Sequence, residues 1–261
     1  MSNMTASTLV SKAVDIAKNC KTLYVMGCFG APMTAANKQR YINNGAAGNY
    51  NAQASRKAMI QAAGADTFGF DCVCLIKGIL WGWSGDPSKT YGGAVYASNG
   101  VPDLSADAMI QVCTGVSSAD WANMDPGEAV WMTGHIGIYI GGGLAVECSP
   151  KWENKVQITA VGNIGKKTGY NTRTWTKHGK LPYVDYTERA EEDEKMLSYE
   201  QWKEYMERYR KELATKESTM PSLVADAVAL GISSDGSRPR DLLTREEGMV
   251  MARAAAYAAQ K

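Results

Sequence analysis

The apolar positions of this chain change their period part-way along. As far as about residue 125 they recur at intervals of three and four, and beyond residue 128 they alternate with polar or small residues. Residues 7–19 place Leu9, Ala13, Ile16 and Ala17, with Cys20 beyond them, on one side of a helix that Ser7 can cap. Residues 55–63 and 105–112 predict two further short helices, and residues 121–125 a turn. The most apolar stretch is 67–82, with apolar side chains at 75, 76, 79 and 80, and at 83 just beyond it, and a cap residue at Asp71, which predicts a mostly buried helix. Around these, 22–26 reads as a short extended or loop segment and Gly27 to Pro32 as a turn. Residues 37–52 are polar and Asn-rich and read as a loop with room for a helical turn; residues 84–99 read as a second loop, suited to the wall or rim of a cleft.

After Pro126-Gly127 the pattern predicts strands over 129–132, 135–140, 144–148 and 156–161, short β-rich runs separated by turns. Helices first and an antiparallel meander afterwards imply an α+β domain over residues 1–187. Residues 188–197 then read as a charged linker. Residues 198–261 read as a small all-helical module, opened by a capping box at Ser198-Tyr199-Glu200-Gln201 and a second at Thr244-Arg245-Glu246-Glu247.

Folding the strand 135–140 back through Gly141-Gly142-Gly143 selects a register. A three-residue loop sets Ile140 against Leu144, Ile138 against Val146 and Ile136 against Cys148, an unbroken apolar face. Loops of two or four residues would set an isoleucine against Glu147. In the preferred register the other face pairs Tyr139 with Ala145 and Gly137 with Glu147, so Glu147 is the diagonal neighbour of His135 across a glycine.

That polar face changes the reading of the buried helix. Cys72 falls in its first turn, where unpaired N–H groups and the helix dipole favour a thiolate and lower the pKa from about 8.5. A cysteine by itself is more often a packing residue than a nucleophile. His135, with Glu147 to orient it, supplies the base that a nucleophilic thiol needs. The other histidine, His178, lies in a polar turn and reads as a solvated loop residue.

Composition adds mostly exclusions. The 261 residues are 45% hydrophobic and 21% charged with a net charge of +1, which suits a globular chain and gives no electrostatic reason to expect nucleic acid as a partner. No stretch nears the roughly 20 apolar residues that span a bilayer. The first residues lack a basic segment followed by an apolar run, so the expectation is a chain made without a secretory signal, reaching the outside through a pore or as part of a virion. Cysteines at 20, 28, 72, 74, 113 and 148 form neither a disulfide framework nor a CxxC zinc pattern, and no metal or organic cofactor is expected.

Together, Phe70-Asp71-Cys72-Val73-Cys74-Leu75, Gly134-His135-Ile136-Gly137-Ile138-Tyr139-Ile140-Gly141 and Glu147, twelve positions after the histidine, resemble the NlpC-like family of papain-fold cysteine peptidases that cut bacterial peptidoglycan. The resemblance covers about residues 5–185, with 31–66 inserted. It implies a papain-like fold, Cys72, His135 and Glu147 as the catalytic set, and the Cys72 backbone N–H with the Tyr24 hydroxyl at the oxyanion or substrate. The family's Ser-Gly after the cysteine is Val73-Cys74 here, and its third residue is usually His, Asn or Gln. A charged Glu147 should therefore hold the imidazole more strongly protonated. The resemblance further implies bacterial peptidoglycan as partner and an endolysin-like hydrolase cutting a stem amide. Its alternatives are an N-acetylmuramoyl-L-alanine amidase, acyl transfer by the same triad, and a wall-binding protein with a decayed site. The final module resembles an S-layer-homology-like repeat, which implies wall attachment or a homo-oligomer.

Overall fold

The computed structural model describes residues 4–45, 48 and 50–187; the expected linker and helical module at 188–261 lie outside the described residues. In chain order the elements are β1 (Met4–Thr5), α1 (Ala6–Asn19), β2 (Thr22–Tyr24), β3 (Phe29–Pro32), α2 (Ala35–Ile42), α3 (Ala54–Ala62), β4 (Phe68–Phe70), α4 (Cys72–Leu80) and α5 (Ala106–Val112). There follow β5 (Thr114–Ser117), β6 (Ala129–Met132), β7 (His135–Gly141), β8 (Leu144–Ser149), β9 (Lys155–Val161), β10 (Thr172–Arg173), β11 (Lys177–Lys180) and β12 (Val184–Asp185). The domain is α+β, as the change of period implies. One sheet runs in the order β10-β9-β8-β7-β6-β11-β5, a second in the order β2-β4-β3, and β1 pairs with β12.

Helix α4 is the centre of the core. All nine of its residues are buried, and Leu75, Ile76 and Ile79 are fully so, each worth roughly 2 kcal/mol of transfer free energy. Its one charge, Lys77, is buried with it and is satisfied by an ion pair to Asp103 and by the Leu104 carbonyl at 2.9 Å. Gly78 permits a close approach to β3, since a Cβ there would stand 2.8 Å from the Phe29 carbonyl oxygen. Helix α1 buries Leu9, Ala13 and Ile16, the stripe its period predicts, although Thr5 and not Ser7 caps it.

Several elements differ from expectation. Gly27 to Pro32 holds a strand as well as a turn, because β3 pairs antiparallel with β4 and Gly30 relieves the bulge with φ +104°. The polar stretch 37–52 contains a true helix, α2, capped by Thr34 and anchored by Asn37 to the Pro32 carbonyl and by buried Tyr41. Its polar sequence hid it because only a few of its residues face the core. Strands β10, β11 and β12 are too short to show a period. Among the described residues no helix is long and apolar enough to cross a membrane.

The hairpin register is as the apolar faces require, with Ile138 opposite Val146 and Tyr139 opposite Ala145. It slips at the turn, where Gly141 rather than Ile140 pairs with Leu144, so the strand runs one residue further and Gly142-Gly143 makes the turn at φ +61° and +77°.

Candidate active site

The parallel pairing of β2 with β4 sets Tyr24 opposite Phe70, two residues before Cys72. The start of α4 is fixed by Asp71, whose Oδ1 accepts from the Cys74 N–H and whose Oδ2 accepts from the Gly27 N–H, both at 2.7 Å. One buried carboxylate therefore caps the helix and clamps the β2–β3 turn to it. Burial raises the Asp71 pKa against these bonds. With Cys74 N–H taken, the N–H groups of Cys72 and Val73 remain at the open end and bear on the Cys72 thiol.

Cys72 Sγ lies 3.9 Å from the Gly134 carbonyl oxygen and is also approached by the Ile136 N–H. The sulfur is thus seated against the backbone on both sides of His135. His135 Nε2 donates to Glu147 Oε2 at 2.7 Å, which leaves Nδ1 as the nitrogen free to exchange a proton. Among the described residues the thiol makes no hydrogen bond to the imidazole.

The lowered Cys72 pKa expected from the helix start is overturned. Burial, then the Asp71 charge, pushes the thiol up to about 12, outweighing the N–H groups of Ile136, Val73 and Cys72. At neutral pH the residue therefore rests as a neutral thiol.

Glu147 is fully buried on β8 and accepts far more than the histidine bond. Arg173 approaches Oε1 through Nε at 2.8 Å and Oε2 through Nη2 at 2.7 Å, and the Thr159 hydroxyl donates to Oε1 at 2.7 Å. Burial would raise this carboxyl, but the bonds from His135 and Arg173 together hold it below its ordinary value. The carboxylate therefore bonds the Arg173 guanidinium as well as the imidazole. Trp175 stacks on His135 with 5.5 Å between ring centroids and 6° between planes. Gly137 makes room for this, since a Cβ there would lie 2.9 Å from the Val146 carbonyl oxygen and 3.2 Å from the Trp175 ring. Arg173, Thr159 and Trp175 carry no motif, and their spacing from Glu147 becomes meaningful only once β8, β9 and β10 are side by side.

Tyr24 is buried and lines the same cleft as Cys72. Its hydroxyl contacts only Met26 Sδ, at 3.9 Å, among the described residues. Burial raises its pKa, so it stands as a proton-bearing donor. Arg56 of α3 binds the Tyr24 carbonyl, lies over its ring at 5.6 Å, and bonds Asn154. The inserted segment thus braces Tyr24, a role not legible in the sequence.

The cleft has a volume of about 480 Å³, and its lining includes Phe29, Trp81, Tyr96, Asp107 and Gly134. Asp107 Oδ1 accepts from the Gly134 N–H at 2.7 Å and from Trp131 Nε1 at 2.9 Å, holding the approach to His135. Trp81 lines the cleft, whereas Trp83 packs in the core against Phe68 and Phe70. Cys74 is buried. His178 is not solvated: it sits on β11, buried, with Nδ1 2.7 Å from Glu128 Oε2 and Nε2 2.8 Å from the Ala119 carbonyl oxygen.

No family model and no curated protein matches the chain. Among solved structures it is similar to the peptidoglycan hydrolase RipB from Mycobacterium tuberculosis, with 16% sequence identity and a TM-score of 0.35. That similarity covers 69% of this chain and 65% of RipB, less than two thirds of the latter.

Proposed function

We propose that the chain is a peptidoglycan hydrolase that cleaves an amide bond of the stem peptide through Cys72, His135 and Glu147, between D-Glu and the diamino acid. The observation that carries this reading is the seating of the Cys72 sulfur against Gly134 and Ile136, beside a histidine whose far nitrogen is held by Glu147. The choice of peptidoglycan rests on the resemblance of the cysteine and histidine motifs to the NlpC-like, papain-fold family.

The substrate carbonyl enters the cleft beside Cys72. The sulfur bonds to the carbonyl carbon as the thiol proton passes to His135 Nδ1; the carbonyl oxygen gathers negative charge and is met by the Cys72 N–H and the Tyr24 hydroxyl. When the tetrahedral species collapses, the C–N bond breaks and the imidazolium protonates the leaving amine. Water then attacks the thioester, giving its proton to His135, and releases the acid with the thiol restored. Because the resting thiol is neutral, deprotonation and attack are coupled, and Glu147 supports the imidazolium formed between them.

Purified full chain should clear bacterial walls, and Cys72→Ala should abolish clearing, a loss of at least about a thousandfold. Mass spectrometry of the products tests the bond: cleavage within the stem leaves a glycan-bound dipeptide, whereas an amidase leaves bare glycan and stems with free L-Ala amines. Clearing unaffected by Cys72→Ala would mean that the nucleophile is wrongly assigned.

A further inference from the structure

Four donors converge on the buried Glu147 carboxylate, and two of them belong to Arg173. The guanidinium is fixed by more than this pair. Its Nη2 also donates to Ser149 Oγ at 3.1 Å, and it lies over the rings of Trp152 at 4.8 Å and Trp175 at 5.5 Å. Trp175 is the ring stacked on His135, so the cation, the carboxylate and the imidazole form one packed unit. A planar fork suits this place, because two parallel N–H bonds orient a carboxylate as a single ammonium does not.

We propose that Arg173 is a positioning residue that sets the proton affinity of His135 by sharing the negative charge of Glu147 and holding its carboxylate in the plane the imidazole needs. The inference rests on reading His135 as the base. A buried Glu147 facing the imidazole alone would favour imidazolium, and an imidazolium cannot accept the thiol proton. With Arg173 in place the pair is neutral as a whole, and the ring stays a base while Oε2 still receives the Nε2 proton. Among the described residues, the titratable and charged groups that face His135 are Glu147 on β8, Arg173 on β10, Cys72 on α4 and, through the Gly134 N–H, Asp107 on α5. Arg173 is the one cation in that set.

The test is a nuclear magnetic resonance titration of the imidazoles in full-length chain carrying Cys72→Ala, alone and with Arg173→Met or Arg173→Lys. His178 serves as an internal report of the fold. Arg173→Met should raise the His135 midpoint by about one pH unit or more. In chain with Cys72 intact it should move the acid limb of kcat/KM upward by the same amount, with kcat recovering at higher pH. Arg173→Lys, which keeps the charge without the fork, should give a smaller shift. If Arg173→Met loses the His178 signal, Arg173→Gln replaces it as a neutral side chain that can still hydrogen-bond Glu147. An unmoved His135 midpoint in a folded neutral variant overturns the proposal. A chain whose midpoint moves but which clears no peptidoglycan upholds Arg173 and overturns the proposed reaction; clearing with an unmoved midpoint does the reverse.

Discussion

His135 and His178 are the two histidines of the chain, and each meets a buried glutamate: Nε2 of His135 is 2.7 Å from Glu147, and Nδ1 of His178 is 2.7 Å from Glu128. They differ in the other nitrogen. That of His178 is closed by the Ala119 carbonyl, and the ring packs on Trp121 at 4.9 Å, so the residue joins β11 to the segment before β6. That of His135 makes no hydrogen bond among the described residues, and its strand begins where the Cys72 sulfur rests. A carboxylate partner is therefore common to a structural and a candidate catalytic histidine, and what separates them is a nitrogen left over on the side of the Cys72 thiol.

The comparison breaks most sharply at His135. His135→Ala should lower wall hydrolysis by at least about a thousandfold with little change in unfolding midpoint, as base and leaving-group acid are lost together. His178→Ala should do the opposite. It leaves the buried Glu128 with the Asp125 N–H but without its imidazole partner, so unfolding in denaturant should show a loss of about 3 kcal/mol, while kcat measured well below the melting temperature changes only a few-fold.

Next in size is Tyr24→Phe, which removes one proposed donor to the oxyanion. A fall of about 10–100-fold in kcat with KM little changed is expected. An unchanged kcat would leave Tyr24 as a core residue braced by Arg56.

The smallest effect sharpens the contrast through pH. The folded Glu147 pKa lies below its unfolded value of about 4.3, so its contribution to stability is full above that value and is lost as pH falls through the lower folded value. The stability advantage of wild type over Glu147→Gln, followed by urea unfolding from about pH 6 down to about pH 3, should therefore shrink on acidification. A constant difference would mean that the carboxylate is not preferentially ionised in the folded chain.

The sequence by itself determined the elements whose period was long enough to read. The stripe of α1, the wholly apolar α4 behind Asp71, and the strands from 129 to 161 all follow from spacing, and requiring one apolar face in the hairpin was enough to bring Glu147 to His135. Segments too short or too polar to show a period escaped it: β3, the polar α2, and β10 and β11, whose pairing puts Arg173 on Glu147 and His178 on Glu128. The direction of the Cys72 shift also had to wait for the tertiary structure. A helix start favours the thiolate through local N–H groups, which sequence shows, whereas burial beneath β7 disfavours it through the loss of water, which only the packed domain reveals. Local chemistry named the residues, and the low-dielectric surroundings decided their charge states.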